Sequence, residues 1–150
     1  MTGSWKTSEF SPAGRVLAAC TLLFFIGVHV FALLLVRNVT EAAGSAQAHF
    51  AYRDLNYLLR MSHQHLFGHG AMYFITGFLF LATPFPERLK AMVVPLPFLG
   101  AALDLTAWWL LKYTPGNWEM LSALAGGFFT FSFLGMALST LWFLARPRAT

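Results

Sequence analysis

Residues 63–83 read HQHLFGHGAMYFITGFLFLAT. Wound as an α-helix, His65, His69, Met72 and Thr76, spaced four, three and four apart, share one face. His63, Phe67, Phe74, Phe78 and Leu81 fall on the other. That second set suits lipid, with His63 at the headgroup end where a polar ring stays wet. Ionisable side chains are costly in hydrocarbon, so His65 and His69 must turn away from lipid and into a helical bundle. This stretch therefore reads as a membrane helix with a functional inner face.

The remainder of the 150 residues supports a membrane protein. The chain is 57% hydrophobic and 11% charged, with 16 Phe and 5 Trp, which is too apolar for an ordinary soluble domain of this length. A spanning helix needs roughly 20 mostly apolar residues. The sequence offers four such runs, at 15–36, about 57–83, 91–112 and 118–145, the second least apolar at its start, where Arg60 to Gln64 lie at the interface. Gly126 and Gly127 interrupt the fourth, which membrane helices tolerate. The first run exceeds a signal-peptide core of about 7–15 residues, and no small-residue cleavage site follows Val36, so it reads as a mature span.

The connections set the topology. Residues 1–14 form a polar tail, and 38–56 the only long link, Ala-rich and suited to a short interfacial helix. Pro84, Pro86 and the Pro115-Gly116 pair mark tight turns. Short links make successive helices antiparallel neighbours, so the expected fold is all-α, a single four-helix transmembrane domain running up-down-up-down over 1–150. With the N-terminus inside, Lys6, Arg15, Arg88, Lys90, Arg146 and Arg148 lie inside, against Arg37, Arg53, Arg60 and Lys112 outside. The positive-inside rule then places both termini on the cytoplasmic side, and the expected location is a bacterial inner membrane. No basic stripe supports nucleic-acid binding.

Two further polar positions share a depth with the His65/His69 face. His29 stands eight residues before Arg37 and Asp104 eight before Lys112, each roughly 12 Å inside its outer flank. Counting inward from Trp118 reaches Gly126 and Gly127 at the same level. Pro97, Gly100, Ala101 and Asp104 share a face of the third helix, a stripe of small residues that allows close approach or leaves room for a flat ligand.

A b-type haem fits this set. Haem iron takes axial nitrogen from His, and bundle cores supply such side chains from facing helices. His29 with His65 or His69 would be ligands, the spare His would hydrogen-bond a propionate or quinone, and Met72 is an alternative ligand. Gly126 and Gly127 would give the macrocycle clearance. A haem-free alternative uses His29, His65, His69 and Asp104 as an N3O set for zinc or copper. A proton or quinone path with Asp104 as carboxylate is a third reading, and a structural accessory subunit a fourth. Cys20 reads as a small packing residue, His49 as surface, and Trp108, Trp109 and Trp118 as interfacial belt anchors. There is no activated Ser or Cys nucleophile and no phosphate-cradling Gly loop, so an autonomous enzyme is not expected.

The HxH…G opening, His63-Gln-His65 running on through Gly68, His69, Gly70 and Gly77, resembles helix openings of haem-copper oxidase and NnrS-type membrane proteins. Residues 96–100 (LPFLG) and 103–109 (LDLTAWW) resemble helix ends of small bacterial four-helix membrane proteins of the b-type cytochrome kind. The resemblance implies haem held by His65 or His69 with His29, and electron transfer as a small subunit or quinone-facing partner of a respiratory complex. The partner would be a larger membrane complex or further copies of the chain.

Overall fold

The computed structural model describes residues 6–146, and Arg148 and residues 1–5 lie outside them. Every regular element among the described residues is helical: a single 3₁₀ turn at Thr7–Glu9, then α1 (Pro12–Ala43), α2 (Ala46–Ala51), α3 (Leu55–Leu81), α4 (Glu87–Val93), α5 (Leu96–Tyr113) and α6 (Trp118–Ala145).

Local chemistry sets these limits. Ser11 Oγ accepts from the Gly14 amide at 3.1 Å, with Pro12 at the first helical position, where its missing N–H costs nothing. α1 continues past the expected end at Val36 because the Arg37–Glu41 ion pair at 2.7 Å supports another turn. It stops at Gly44, whose φ of 82° needs a residue without Cβ. Ser45 and Asp54 cap α2 and α3 through the Ala48 and Tyr57 amides. α2 is the short helix expected in the long link.

The third apolar run differs from its sequence reading. It starts earlier, at Glu87, and is broken between Val93 and Leu96, because Pro95 has no amide to donate to the preceding turn. The N-terminal tail also differs: it folds back, with Thr7 and Phe10 buried and the Thr7 amide donating to the Ala82 carbonyl at 2.8 Å. Cys20 is exposed on the outer side of α1 rather than packed.

The ends gather in two sets. At one, the Arg15 guanidinium donates to the Arg146 carbonyl at 3.1 Å, and the Lys90 ammonium donates to the Leu81 carbonyl at 2.8 Å. At the other, the Gln47 amide donates to the Glu119 carboxylate at 2.7 Å, and Lys112 donates to the Ala51 carbonyl at 3.2 Å. Two apolar cores lie between. One gathers Leu22, Met72, Tyr73, Phe129 and Phe133, and the other Phe50, Leu58, Leu105, Trp108 and Leu111.

Among the described residues, three helical stretches are long and apolar enough to cross a membrane: Pro12–Ala43, Glu87–Tyr113 and Trp118–Ala145. α3 has the length, 27 residues, but Arg60, His63, Gln64, His65 and His69 dilute its apolar character. Its two faces are as the helical wheel predicts. Met72 and Thr76 are buried, His65 and His69 half-buried, and Phe67, Phe74, Phe78 and His63 exposed.

Candidate functional site

α3 carries the centre of the site. His65 Nδ1 stands 2.9 Å from the Met61 carbonyl, one turn back on the same helix. A carbonyl only accepts, so Nδ1 must carry the proton, and Nε2 keeps its lone pair. His69 lies one turn further on, edge-to-face with His65 at 5.1 Å and stacked on Tyr73 at 5.3 Å. It has no hydrogen-bond partner among the described residues. His65 touches Trp108 of one core and His69 touches Phe129 and Tyr73 of the other, so the pair bridges the two.

α1 brings His29. Its buried positions are Ala18, Leu22 and His29, a stripe at spacings of four and seven that ends on the histidine. Only 3% exposed, His29 sits against Phe129 and Phe133, and its Nε2 is 3.0 Å from Thr130 Oγ1 on α6. His29, His65, His69 and Met72 line one cleft of about 340 Å³ between α1 and α3, floored by Gly68. The three histidines thus face a common space.

Asp104 is placed differently. It is 9% exposed on the Pro97–Gly100–Ala101 face of α5, all of which is buried. Ser122 Oγ donates to its carboxyl at 2.5 Å, and Trp108 and His65 lie close by. Asp104 does not line the histidine cleft. Among the described residues no three of His, Cys, Asp and Glu come together as a metal-holding group, so the zinc or copper set is not assembled. The Asp104 carboxyl has its own donor in Ser122 and His29 its own hydroxyl partner in Thr130, about two turns further along α6.

Gly126 and Gly127 reach the expected depth but line neither histidine-bearing cavity. A count of residues from Trp118 gives depth and not rotation, and α6 turns Ser122 and Thr130 inward instead. Trp108 is 8% exposed and belongs to the core, not to an interfacial belt. Trp109 does sit nearer the edge, donating to Ser62 Oγ at 3.1 Å.

His49, which reads as surface in the sequence, is half-buried and lines a second cavity of about 160 Å³ together with Tyr57, His65, Trp108 and Ser122. Its Nε2 is within hydrogen-bond reach of the Tyr57 hydroxyl at 3.5 Å. Burial and, after it, the Arg53 guanidinium hold the His49 imidazole below its ordinary pKa. His65 is thus common to both cavities. The signals that could have found His49 were its Ser45 cap, which fixes α2, and its spacing of eight from Tyr57.

A chain of this kind is an integral membrane protein whose described residues are helical, with polar side chains held between apolar cores. Residues 43–150 match the family described as Aq_1264_TM, a transmembrane helical domain, and the chain belongs to that family. The match covers α2 to α6 and so contains His49, His65, His69 and Asp104, while His29 precedes it. No curated protein and no solved structure matches the chain.

Proposed function

We propose that this protein is a b-type haem-binding electron-transfer protein of the bacterial inner membrane, a small subunit or quinone-facing partner of a respiratory complex. The observation that carries the reading is the His65 ring: Nδ1 is tied to the Met61 carbonyl, which fixes the tautomer and leaves Nε2 for iron, beside a cleft shared with His29 and His69. Ligating histidines characteristically hold their other nitrogen in such a bond. Haem, when bound, supplies reversible one-electron chemistry at iron.

The chain's own residues would do the rest. His65 offers one axial nitrogen. His29, across the cleft on α1, offers a second once its bond to Thr130 is exchanged. Two histidines one turn apart on a single helix project to the same side, so His65 and His29 would hold the group and His69 would be the spare, left to hydrogen-bond a propionate. Phe24, Phe25 and Val28 exclude water from the cleft, and Gly68, where an added Cβ would meet nothing within 4 Å, leaves room.

Four antiparallel helices crossing the membrane, with both termini in the cytoplasm, complete the proposal. It is supported by the way the start of α1, the end of α3, the start of α4 and the end of α6 meet at one end. That end carries Lys6, Arg15, Arg88, Lys90 and Arg146, which the positive-inside rule would keep inside.

The test is a reduced-minus-oxidised absorbance spectrum of the purified chain with metal analysis on the same sample. Sharp α and Soret bands with one iron per chain, lost in His65→Ala and His29→Ala and kept in His69→Ala, are the expected result. A colourless chain from cells with ample haem, or bands that survive all three substitutions, would overturn it.

A further inference from the structure

The second cavity is where this chain meets something smaller than a haem. It lies at the membrane boundary, between the last turns of α1 before its polar extension, α2, and the start of α3. Its apolar side is built by Leu35, Val36 and Val39 of α1. Phe50 and Trp108, stacked at 5.3 Å with 27° between their planes, give it a flat wall. Its polar groups are few and converge from different elements: Thr40 of α1, His49 of α2, Tyr57 and His65 of α3, and Ser122 of α6. An apolar pocket with a small number of placed polar groups is the usual form of a small-molecule site.

We propose that this cavity binds the headgroup of a single-ring membrane quinone or quinol, a proposal that rests on the electron-transfer reading above and gives it a substrate site. Size supports one ring: the cavity is about 160 Å³, and an engineered apolar cavity of roughly 150 Å³ takes one benzene. The chemistry supports a quinone over benzene. A quinone ring has oxygens on opposite edges, and the cavity has partners on more than one side: the hydrogen-bonded His49–Tyr57 pair on α2 and α3, and on α6 the Ser122 hydroxyl, whose proton goes to Asp104 and whose oxygen is left to accept from a quinol. Leu35 and Val36 are themselves exposed on the face of α1, so an isoprenoid tail leaves the cavity past them directly into lipid. A water-soluble aromatic would have no use for that exit. His65 stands in the walls of both this cavity and the three-histidine cleft, which puts the ring next to the proposed haem ligand.

The experiment is titration of the detergent-purified full chain with decylubiquinone, read by quenching of tryptophan fluorescence, with the haem spectrum recorded on each sample. Saturable quenching is expected for the native chain. Ala46→Phe, which fills the cavity from α2, should abolish the saturable part. Tyr57→Phe, which removes one hydroxyl and no volume, should weaken it about 3- to 10-fold. Saturable binding unchanged in both variants, or none in the native chain, overturns the site. Either result with haem bands intact leaves the electron-transfer reading standing. Saturable, Ala46→Phe-sensitive binding in a colourless chain does the reverse: it keeps the quinone site and removes the haem.

Discussion

Gly100 and Gly68 stand on neighbouring helices and serve opposite ends. At Gly100 an added Cβ would come 2.8 Å from the Phe129 Cβ and 2.9 Å from the Phe129 amide nitrogen, so α5 and α6 pack backbone against backbone. At Gly68 an added Cβ would meet nothing within 4 Å. The α5–α6 seam has no space left in it, whereas α1 and α3 part around a cleft lined by three histidines. One region is built to hold the molecule together. The other is left open, and the polar side chains that hydrocarbon would punish are turned into it. The seam is a packing contact and the cleft is not, and the two can be separated by mutation.

The most disruptive test is on the seam. Gly100→Ala should lower stability by about 1–3 kcal/mol, because neither backbone can yield, while Gly68→Ala should raise it by up to ~1 kcal/mol through helix propensity. Thermal melts of the two variants in one detergent check this, and shifts of the same sign would break the contrast. Next in size is Ser122→Ala, which removes the donor to a carboxyl that is 9% exposed. Its expected cost is about 1–3 kcal/mol, with Ser122→Thr restoring most of it. Equal melts for Ala and Thr would show that the hydroxyl is not what matters.

Thr130→Val is a finer probe, because it removes the hydrogen bond between His29 and α6 while keeping the volume and the Phe129 and Phe133 contacts. A cost of about 0.5–1.5 kcal/mol is expected, with the haem bands retained if His29 is a ligand, since iron then takes over the nitrogen. Loss of the bands on Thr130→Val, with the fold intact by circular dichroism, would instead make the Thr130 bond the thing that positions His29.

The smallest effect is a pH dependence. His49 titrates lower in the folded chain than its ordinary value, so the unfolded chain binds more protons just below that value. Its contribution to stability is therefore complete above the unfolded pKa near 6.5 and fades as pH falls from there toward the folded pKa. The melting temperature should drop by less than ~2 °C on this account across that window, and His49→Gln should flatten the drop. An unaltered slope in His49→Gln would assign it to another group.

Much of this was legible in order along the chain. The inward stripe His65, His69, Met72, Thr76 and the buried stripe Pro97, Gly100, Ala101, Asp104 follow from the helical repeat, and the structure has both. Pro95 also stood in plain view within the third run, but whether it would kink or break that helix depends on its neighbours. Cys20, Trp108 and His49 were misplaced because exposure is a property of what packs against a helix, and composition carries no information on that. Gly126 and Gly127 line neither histidine-bearing cavity, because a count of residues gives depth, while facing depends on where the partner helix lies.

The sequence by itself determined that this is a helical membrane protein and which residues of α3 share its buried face. Those properties are local, set by hydropathy and a 3.6-residue repeat that every stretch carries within itself. Only the tertiary structure decided which polar atoms are held and which are free. His29 meets a hydroxyl 101 residues away and Asp104 meets one 18 residues on, while His65 finds its partner one turn back and keeps a nitrogen to spare. A hydrogen bond is satisfied by whatever the fold brings within 3 Å or so, and that is fixed by how the helices pack.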